Sequence, residues 1–224
     1  MLIPLRDENP TRRFPAVTVL IIVLNVVIFA YQALSPRGLD DYAARLGVVP
    51  YEITHFESLA PGQRLAPGLT IIAAMFLHGS LFHLLGNMLY LWIFGNNIED
   101  YLGSVRFILF YLVCGLAAAF TQVLFSPDSR VPMIGASGAI AGVLGAYFIL
   151  FPRARVMTFV FLFIFIRVVP IPAAFVLGFW FLAQVLNIGL GGGVAWFAHI
   201  GGFLAGIALV LAHRRFRPRP AWVN

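Results

Sequence analysis

The sequence predicts an all-α fold, a polytopic bundle of six membrane-crossing helices, on three observations. Of the 224 residues 61% are hydrophobic and only 11% are charged, with a mean hydropathy of +0.92, which lies beyond the range of soluble domains. The apolar residues come in blocks long enough to cross a hydrocarbon core, which takes about 20 residues of helix. The blocks do not alternate polar with apolar residues as membrane-barrel strands do, so helices are the backbone that can satisfy its own hydrogen bonds there.

The elements follow in order. Arg12 and Arg13 precede the first block, residues 16–34, which is longer than a signal-peptide core and has no small-x-small site after it. It reads as an uncleaved first span that ends at Ser35-Pro36. Residues 35–68 form a long mixed loop holding Asp40, Asp41, Glu52, Glu57, Pro50, Pro61 and Pro67, and a loop of that length is either functional or packed onto something. Residues 69–79 are apolar again and end at His78-Gly79-Ser80. The second span covers residues 81–101 and closes with Glu99-Asp100; the third covers 105–125. The fourth covers 137–152 and stops at Pro152, because proline cannot continue a helix. Residues 153–170 hold an apolar run bracketed by Arg153, Arg155 and Arg167. That run, Val156 to Ile166, is too short to span and reads as a connector in or near the interface. The fifth span is 171–187, the glycines of residues 189–193 part it from the sixth at 195–213, and a basic tail follows (Arg214, Arg215, Arg217, Arg219).

Six spans put both termini on one side. Arg6, Arg12, Arg13, Arg106, Arg153, Arg155, Arg167 and the four tail arginines share that side, against Arg37, Arg45, Arg64 and Arg130 on the other. The positive-inside rule therefore places the termini in the cytoplasm and the long loop outside. The net charge of +6 comes from arginines that flank apolar segments, with no lysine; this is membrane topology rather than a nucleic-acid face. The lone Cys114 cannot form an internal disulfide and reads as a packed core residue. The chain reads as one membrane domain over 1–224, with its core at about residues 15–213, a short cytoplasmic N-terminal segment and a basic C-terminal tail.

Two polar groups stand in long stretches without charge: Ser137, in Gly135-Ala136-Ser137-Gly138-Ala139, and His199, in Ala198-His199-Ile200-Gly201-Gly202. A hydroxyl and an imidazole are costly in hydrocarbon, and a pair that can touch has the composition of a nucleophile and its base. Depth supports the pairing. Ser137 stands 15 residues above Pro152 and His199 15 above Arg214, roughly 22 Å each at helical rise. His83 stands 16 residues above Glu99 and Asn87 12 above, about 24 and 18 Å. The three parallel spans thus hold their polar groups in one layer below the outer surface. The fourth span is too short to cross, so Met133–Ala136 must be irregular backbone lining a wet cavity or buried in protein. Gly138-x-x-x-Gly142, Ala141-x-x-x-Gly145 and Gly202-x-x-x-Gly206 let the fourth and sixth spans approach closely.

A helix start with flanking glycines exposes the Ser137 hydroxyl and offers free N–H groups to a developing oxyanion. The spans hold no acid above Glu99-Asp100, so a Ser-His dyad is expected rather than a triad. His83 and Asn87 are four apart on one helix face and could donate to the same oxyanion. A zinc site from His78, His83 and His199 would lack acidic ligands and an H-E-x-x-H pattern, so neither a metal nor another cofactor is expected. Gln122, Gln184, Asn25 and Asn187 read as structural hydrogen-bonders.

Three stretches, His78-Gly-Ser-Leu-Phe-His83-Leu-Leu-Gly-Asn87, Gly135-Ala-Ser137-Gly and Ala198-His199-Ile-Gly-Gly202, together resemble the rhomboid intramembrane serine proteases of the compact six-helix bacterial kind. The resemblance covers roughly residues 15–213. It implies a serine endopeptidase with Ser137 as nucleophile, His199 as base and His83 and Asn87 in the oxyanion hole. It also implies transmembrane proteins as substrates, cut near the outer face after small residues, and a bacterial inner membrane with its lipid as the setting. Two features depart from the family pattern. No Trp-Arg pair occurs between residues 35 and 79, and Ala141 stands where some members stack an aromatic on the histidine. A non-catalytic binder of membrane helices would not need both dyad residues. A transporter would need charged or broken helices along a path, and only the fourth span looks broken.

Overall fold

The computed structural model describes residues 2–59, 66–162, 165–190 and 193–216. Expectations that touch Pro61, Arg64, Phe163, Ile164, Gly191, Gly192, Arg217 and Arg219 lie outside the described residues.

Helix α1 (Ala16–Leu34) buries Val17, Thr18, Ile21, Asn25 and Gln32, a stripe at helical spacing. Its other faces expose Leu20, Val23, Leu24, Val27 and Tyr31, an apolar exterior suited to lipid. The described part of the long loop holds two short helices, α2 (Gly38–Leu46) and α3 (Pro50–His55), and a third, α4 (Pro67–Ala74), starts at its end and runs into the apolar segment of residues 69–79. They dock on the segment that precedes Ser137. Val48 and Met133 exchange backbone hydrogen bonds of 2.9 and 2.8 Å, Tyr51 N–H donates to Ser129 O at 3.0 Å, and Gly135 N–H donates to Ala74 O at 2.8 Å. Arg130 stacks over the Tyr51 ring at 4.5 Å. The loop is thus docked without a Trp-Arg pair.

The predicted second span is continuous but changes pitch. Helix α5 (Leu81–Tyr90) passes through a π-helical turn (Leu91–Gly95) into α6 (Asn96–Leu102). The wider turn buries Leu91, Ile93, Phe94 and Gly95 together, more of the circumference than one α-helical stripe covers. In α6, Glu99 is 3% exposed and caps α1 from outside. It accepts from Val17 N at 3.0 Å, Thr18 N at 2.8 Å, Thr18 Oγ1 at 2.8 Å and Ser104 Oγ at 2.7 Å. Pro15 precedes α1 and supplies no side-chain cap, so the carboxylate meets donors the helix start leaves open.

Helix α7 (Ser104–Phe125), α8 (Ser137–Leu150), α9 (Ala173–Leu186) and α10 (Trp196–Phe216) complete the bundle. Helix α8 is its axis: Ala139 through Tyr147 are buried without interruption, as expected of a helix enclosed by others. It packs backbone to backbone on α10. A Cβ at Gly202 would collide with the Gly138 carbonyl, at Gly206 with the Gly142 carbonyl and at Gly145 with the Phe203 carbonyl.

One expectation is corrected. The fold is mostly helical rather than all-α, because the segment expected as a connector in or near the interface supplies two strands, the first of which pairs with the N-terminal strand. Strands β1 (Leu2–Asp7), β2 (Arg155–Leu162) and β3 (Phe165–Pro172) make an antiparallel sheet of order β1-β2-β3. Val156, Thr158 and Val160 alternate inward and are buried, the period-2 pattern of β-branched residues on a half-buried strand. Pro4, Pro170 and Pro172 fall in the outer strands, where a missing N–H is tolerated.

Among the described residues three helices, Ala16–Leu34, Ser104–Phe125 and Trp196–Arg215, are long and apolar enough to cross a bilayer, and Ser137–Leu150 and Ala173–Leu186 are shorter apolar helices. The chain is an integral, multi-pass membrane protein.

Candidate active site

Ser137 is the first residue of α8. The chain reaches it through Gly135, whose φ is +116°, a conformation closed to residues with a Cβ. There is also no room for one: an added Cβ would lie 2.7 Å from His83 Nε2 and 3.6 Å from Asn87 Nδ2. Gly135 therefore lets two polar side chains of α5 reach the start of α8.

His199 lies in the first turn of α10. Its Nε2 is 2.8 Å from Ser137 Oγ and its Nδ1 is 2.7 Å from Gln184 Oε1. The fold thus brings Ser137 and His199 within hydrogen-bond reach although 62 residues separate them. Gly138 and Gly202 make this possible, since any side chain at Gly202 would hold α10 off α8. The start of α10 is anchored in turn by α7, where Gln122 Oε1 accepts from Ala198 N at 3.2 Å.

His83 lies in the first turn of α5, and its backbone N–H is capped by Ser80 Oγ at 3.1 Å. Asn87, one turn on and 8% exposed, directs Nδ2 to His78 Nε2 at 3.0 Å. His78 is fully buried. It meets His83 edge to face at 5.0 Å, and its backbone N–H reaches Gln32 Oε1 of α1 at 3.2 Å. His78 therefore belongs to the support of Asn87. Among the described residues no three His, Cys, Asp or Glu form a group able to hold a metal ion.

Ala141 takes no part in imidazole packing, for a physical reason. It is fully buried and faces α10, its Cβ 3.3 Å from where a Gly202 Cβ would stand; an aromatic there would prise the two helices apart. The imidazole is flanked instead by Trp180 of α9 (centroids 5.8 Å apart, planes at 38°) and Trp196 of α10 (6.4 Å, 87°). These two tryptophans and Gln184 are neighbours of the site that motif spacing does not reveal. The signal available for Gln184 was a lone amide in an otherwise apolar span.

The groups share a cavity of about 590 Å³ lined by His83, Asn87, Gly135, Ser137, Trp180 and His199, with further apolar walls from α4 and α7. It has the volume of a small-molecule or side-chain pocket. Chemically, the arrangement can take a proton from a hydroxyl and place N–H donors near a carbonyl held against it.

Comparison with known proteins agrees with this architecture. A family model described as the Rhomboid domain matches residues 67–216. Rhomboid protein 1, mitochondrial, of Saccharomyces cerevisiae is 34% identical over 150 residues, covering 62% of this chain and 40% of that protein. RHOMBOID-like protein 4 of Arabidopsis thaliana is 33% identical over 159 residues (70% and 36%), and Rhomboid protease GluP of Bacillus subtilis is 36% identical over 142 residues (63% and 26%). The chain spans less than half the length of each of these relatives. With the family model matching well over half of its residues, the chain belongs to the rhomboid family.

Proposed function

We propose that this protein is an intramembrane serine endopeptidase that cleaves transmembrane segments near the outer face of the membrane. The observation that carries the reading is the 2.8 Å hydrogen bond between Ser137 Oγ and His199 Nε2 inside a cavity. Family membership supports it, as does similarity to GluP, itself a rhomboid protease.

The mechanism follows from the groups. His199 Nε2 takes the proton from Ser137 Oγ as the oxygen attacks the scissile carbonyl. The tetrahedral oxyanion is met by His83, Asn87 and the free N–H at the start of α8. His199 returns the proton to the leaving amine, the C–N bond breaks and the acyl group stays on Ser137. Water activated by His199 then attacks the ester and frees the second product. A substrate helix must first unwind locally, because an intact helix hides its carbonyls. No metal or cofactor takes part.

The reading includes a single domain over 1–224, six spans of the compact bacterial type, both termini cytoplasmic and a bacterial inner membrane. For the spans, the segment Leu81–Leu102 and the two shorter helices α8 and α9 join the three long ones.

Reaction with a fluorophosphonate, together with cleavage of a single-span substrate in proteoliposomes, tests the chemistry. Both are expected in the wild type and should be lost in Ser137→Ala; undiminished cleavage by Ser137→Ala would remove the mechanism.

A further inference from the structure

Both ring nitrogens of His199 are engaged, one by Ser137 of α8 and one by Gln184 of α9. We propose that Gln184 is the positioning residue of this base: its side-chain carbonyl holds the imidazole in the tautomer that presents a bare Nε2 to Ser137. The proposal rests on the serine-endopeptidase reading for its catalytic consequence, though not for the tautomer itself.

Three hydrogen bonds in series set the direction. Gln184 Nε2 lies 3.0 Å from the backbone carbonyl of Trp180, one turn earlier in α9. A carbonyl has no hydrogen to give, so the amide nitrogen must be the group that faces it. The amide oxygen then faces the imidazole, 2.7 Å from Nδ1, and only a protonated Nδ1 satisfies it. A neutral imidazole with its proton on Nδ1 has its lone pair on Nε2, the nitrogen 2.8 Å from Ser137 Oγ. The backbone of α9 thus determines the sense of the amide, the tautomer of the base and the direction of proton transfer, with no charged group involved. Trp180 serves twice, as the carbonyl that orients Gln184 and as a ring 5.8 Å from the imidazole it helps confine.

An amide suits this place. Gln184 is 7% exposed on a helix of otherwise apolar residues, where a lone carboxylate would be heavily penalised by desolvation. The amide orients the ring but brings no negative charge to offset the imidazolium that forms as Ser137 attacks. Substitution by glutamate separates these two contributions.

The test compares wild type, Gln184→Met and Gln184→Glu as full chains in proteoliposomes. It reads kcat and KM for a single-span substrate across pH, thermal unfolding, and the 15N resonances of His199 assigned by difference from His199→Ala. The wild type should show a protonated Nδ1 and a bare Nε2. In Gln184→Met, kcat should fall about 10- to 100-fold with little change in KM, and His199 should populate both tautomers. Gln184→Glu should recover much of kcat and move the acid limb of the pH profile upward, because a carboxylate at Nδ1 stabilises the imidazolium. A purely structural glutamine would lower the unfolding temperature and leave tautomer and pH profile unchanged. That result, or a protonated Nε2 in the wild type, overturns the proposal without requiring any variant to be active. If wild type neither cleaves nor reacts with a fluorophosphonate, the endopeptidase reading fails, and the tautomer measurement still decides the role of Gln184.

Discussion

Gly135 shows how a single missing side chain builds a site. Its φ of +116° and the 2.7 Å approach of His83 Nε2 are separate penalties on any substitution. Gly135→Ala is therefore expected to cost about 1–3 kcal/mol in stability. It should also push His83 and Asn87 away from Ser137, lowering kcat by more than KM changes; thermal unfolding and steady-state kinetics check the two parts. At this scale the grouping of the candidate residues was largely legible. Ser137, His199, His83 and Asn87 stand out because a polar group in an apolar block needs a reason, and their spacing puts them at one depth. Gln184 was legible as a hydrogen-bonder but not as a partner of His199. Its significance lies in one bond between two helices, and no local pattern encodes which ring nitrogen it meets.

Elements carry information that residues alone do not. The pitch change at Leu91–Gly95 precedes α6 and so sets the face on which Glu99 meets α1 and α7. Because Glu99 accepts four hydrogen bonds from two other helices, Glu99→Gln is expected to cost about 2 kcal/mol or more, as an amide nitrogen would confront donors in place of one carboxylate oxygen. Chemical or thermal unfolding in micelles measures it, and a change within about 0.5 kcal/mol would show that the cap is not a major tie between these helices. The helices themselves were readable from hydropathy: α1, α7 and α10 match the predicted spans closely. The two helices inside the long loop, α2 and α3, were not, since short polar helices owe their existence to packing rather than periodicity. The strands escaped notice for another reason. Val156, Thr158 and Val160 do alternate, but the neighbouring Met157, Phe159 and Phe161 are apolar as well, so the period was hidden.

At the scale of the whole molecule, the N-terminal strand binds one end of the bundle together. Tyr147 of α8 donates to Asp7 Oδ2 at 2.5 Å, Glu8 N–H donates to Arg155 O at 2.8 Å and Asn97 Nδ2 donates to Asn9 O at 2.8 Å. Burial pushes the Asp7 carboxyl up from 3.8 to about 6, against the opposing bond from Tyr147. The folded chain thus keeps a proton that the unfolded chain releases first. Asp7 favours folding fully below about pH 4, and that contribution is lost as pH rises to about 6. Asp7→Asn keeps an acceptor for Tyr147, so it should flatten the fall in stability between pH 4 and 6 and raise stability at pH 7 by about 1–2 kcal/mol after allowing for screening. Unfolding temperatures of both proteins across that range decide it, and identical pH slopes would refute the assignment.

Hydropathy and motif order suffice to read a helical membrane protein of the rhomboid kind, with a serine and a histidine held at one level, because block length and depth are properties of the chain taken one segment at a time. Other features exist only once segments meet. These include the sheet that joins Leu2–Asp7 to Arg155–Leu162 and Phe165–Pro172, the docking of the long loop on the approach to Ser137, the two tryptophans around His199 and the amide that engages its second nitrogen. Each depends on contacts between residues remote in the chain, whose partners are chosen by packing and by the need to satisfy buried donors and acceptors.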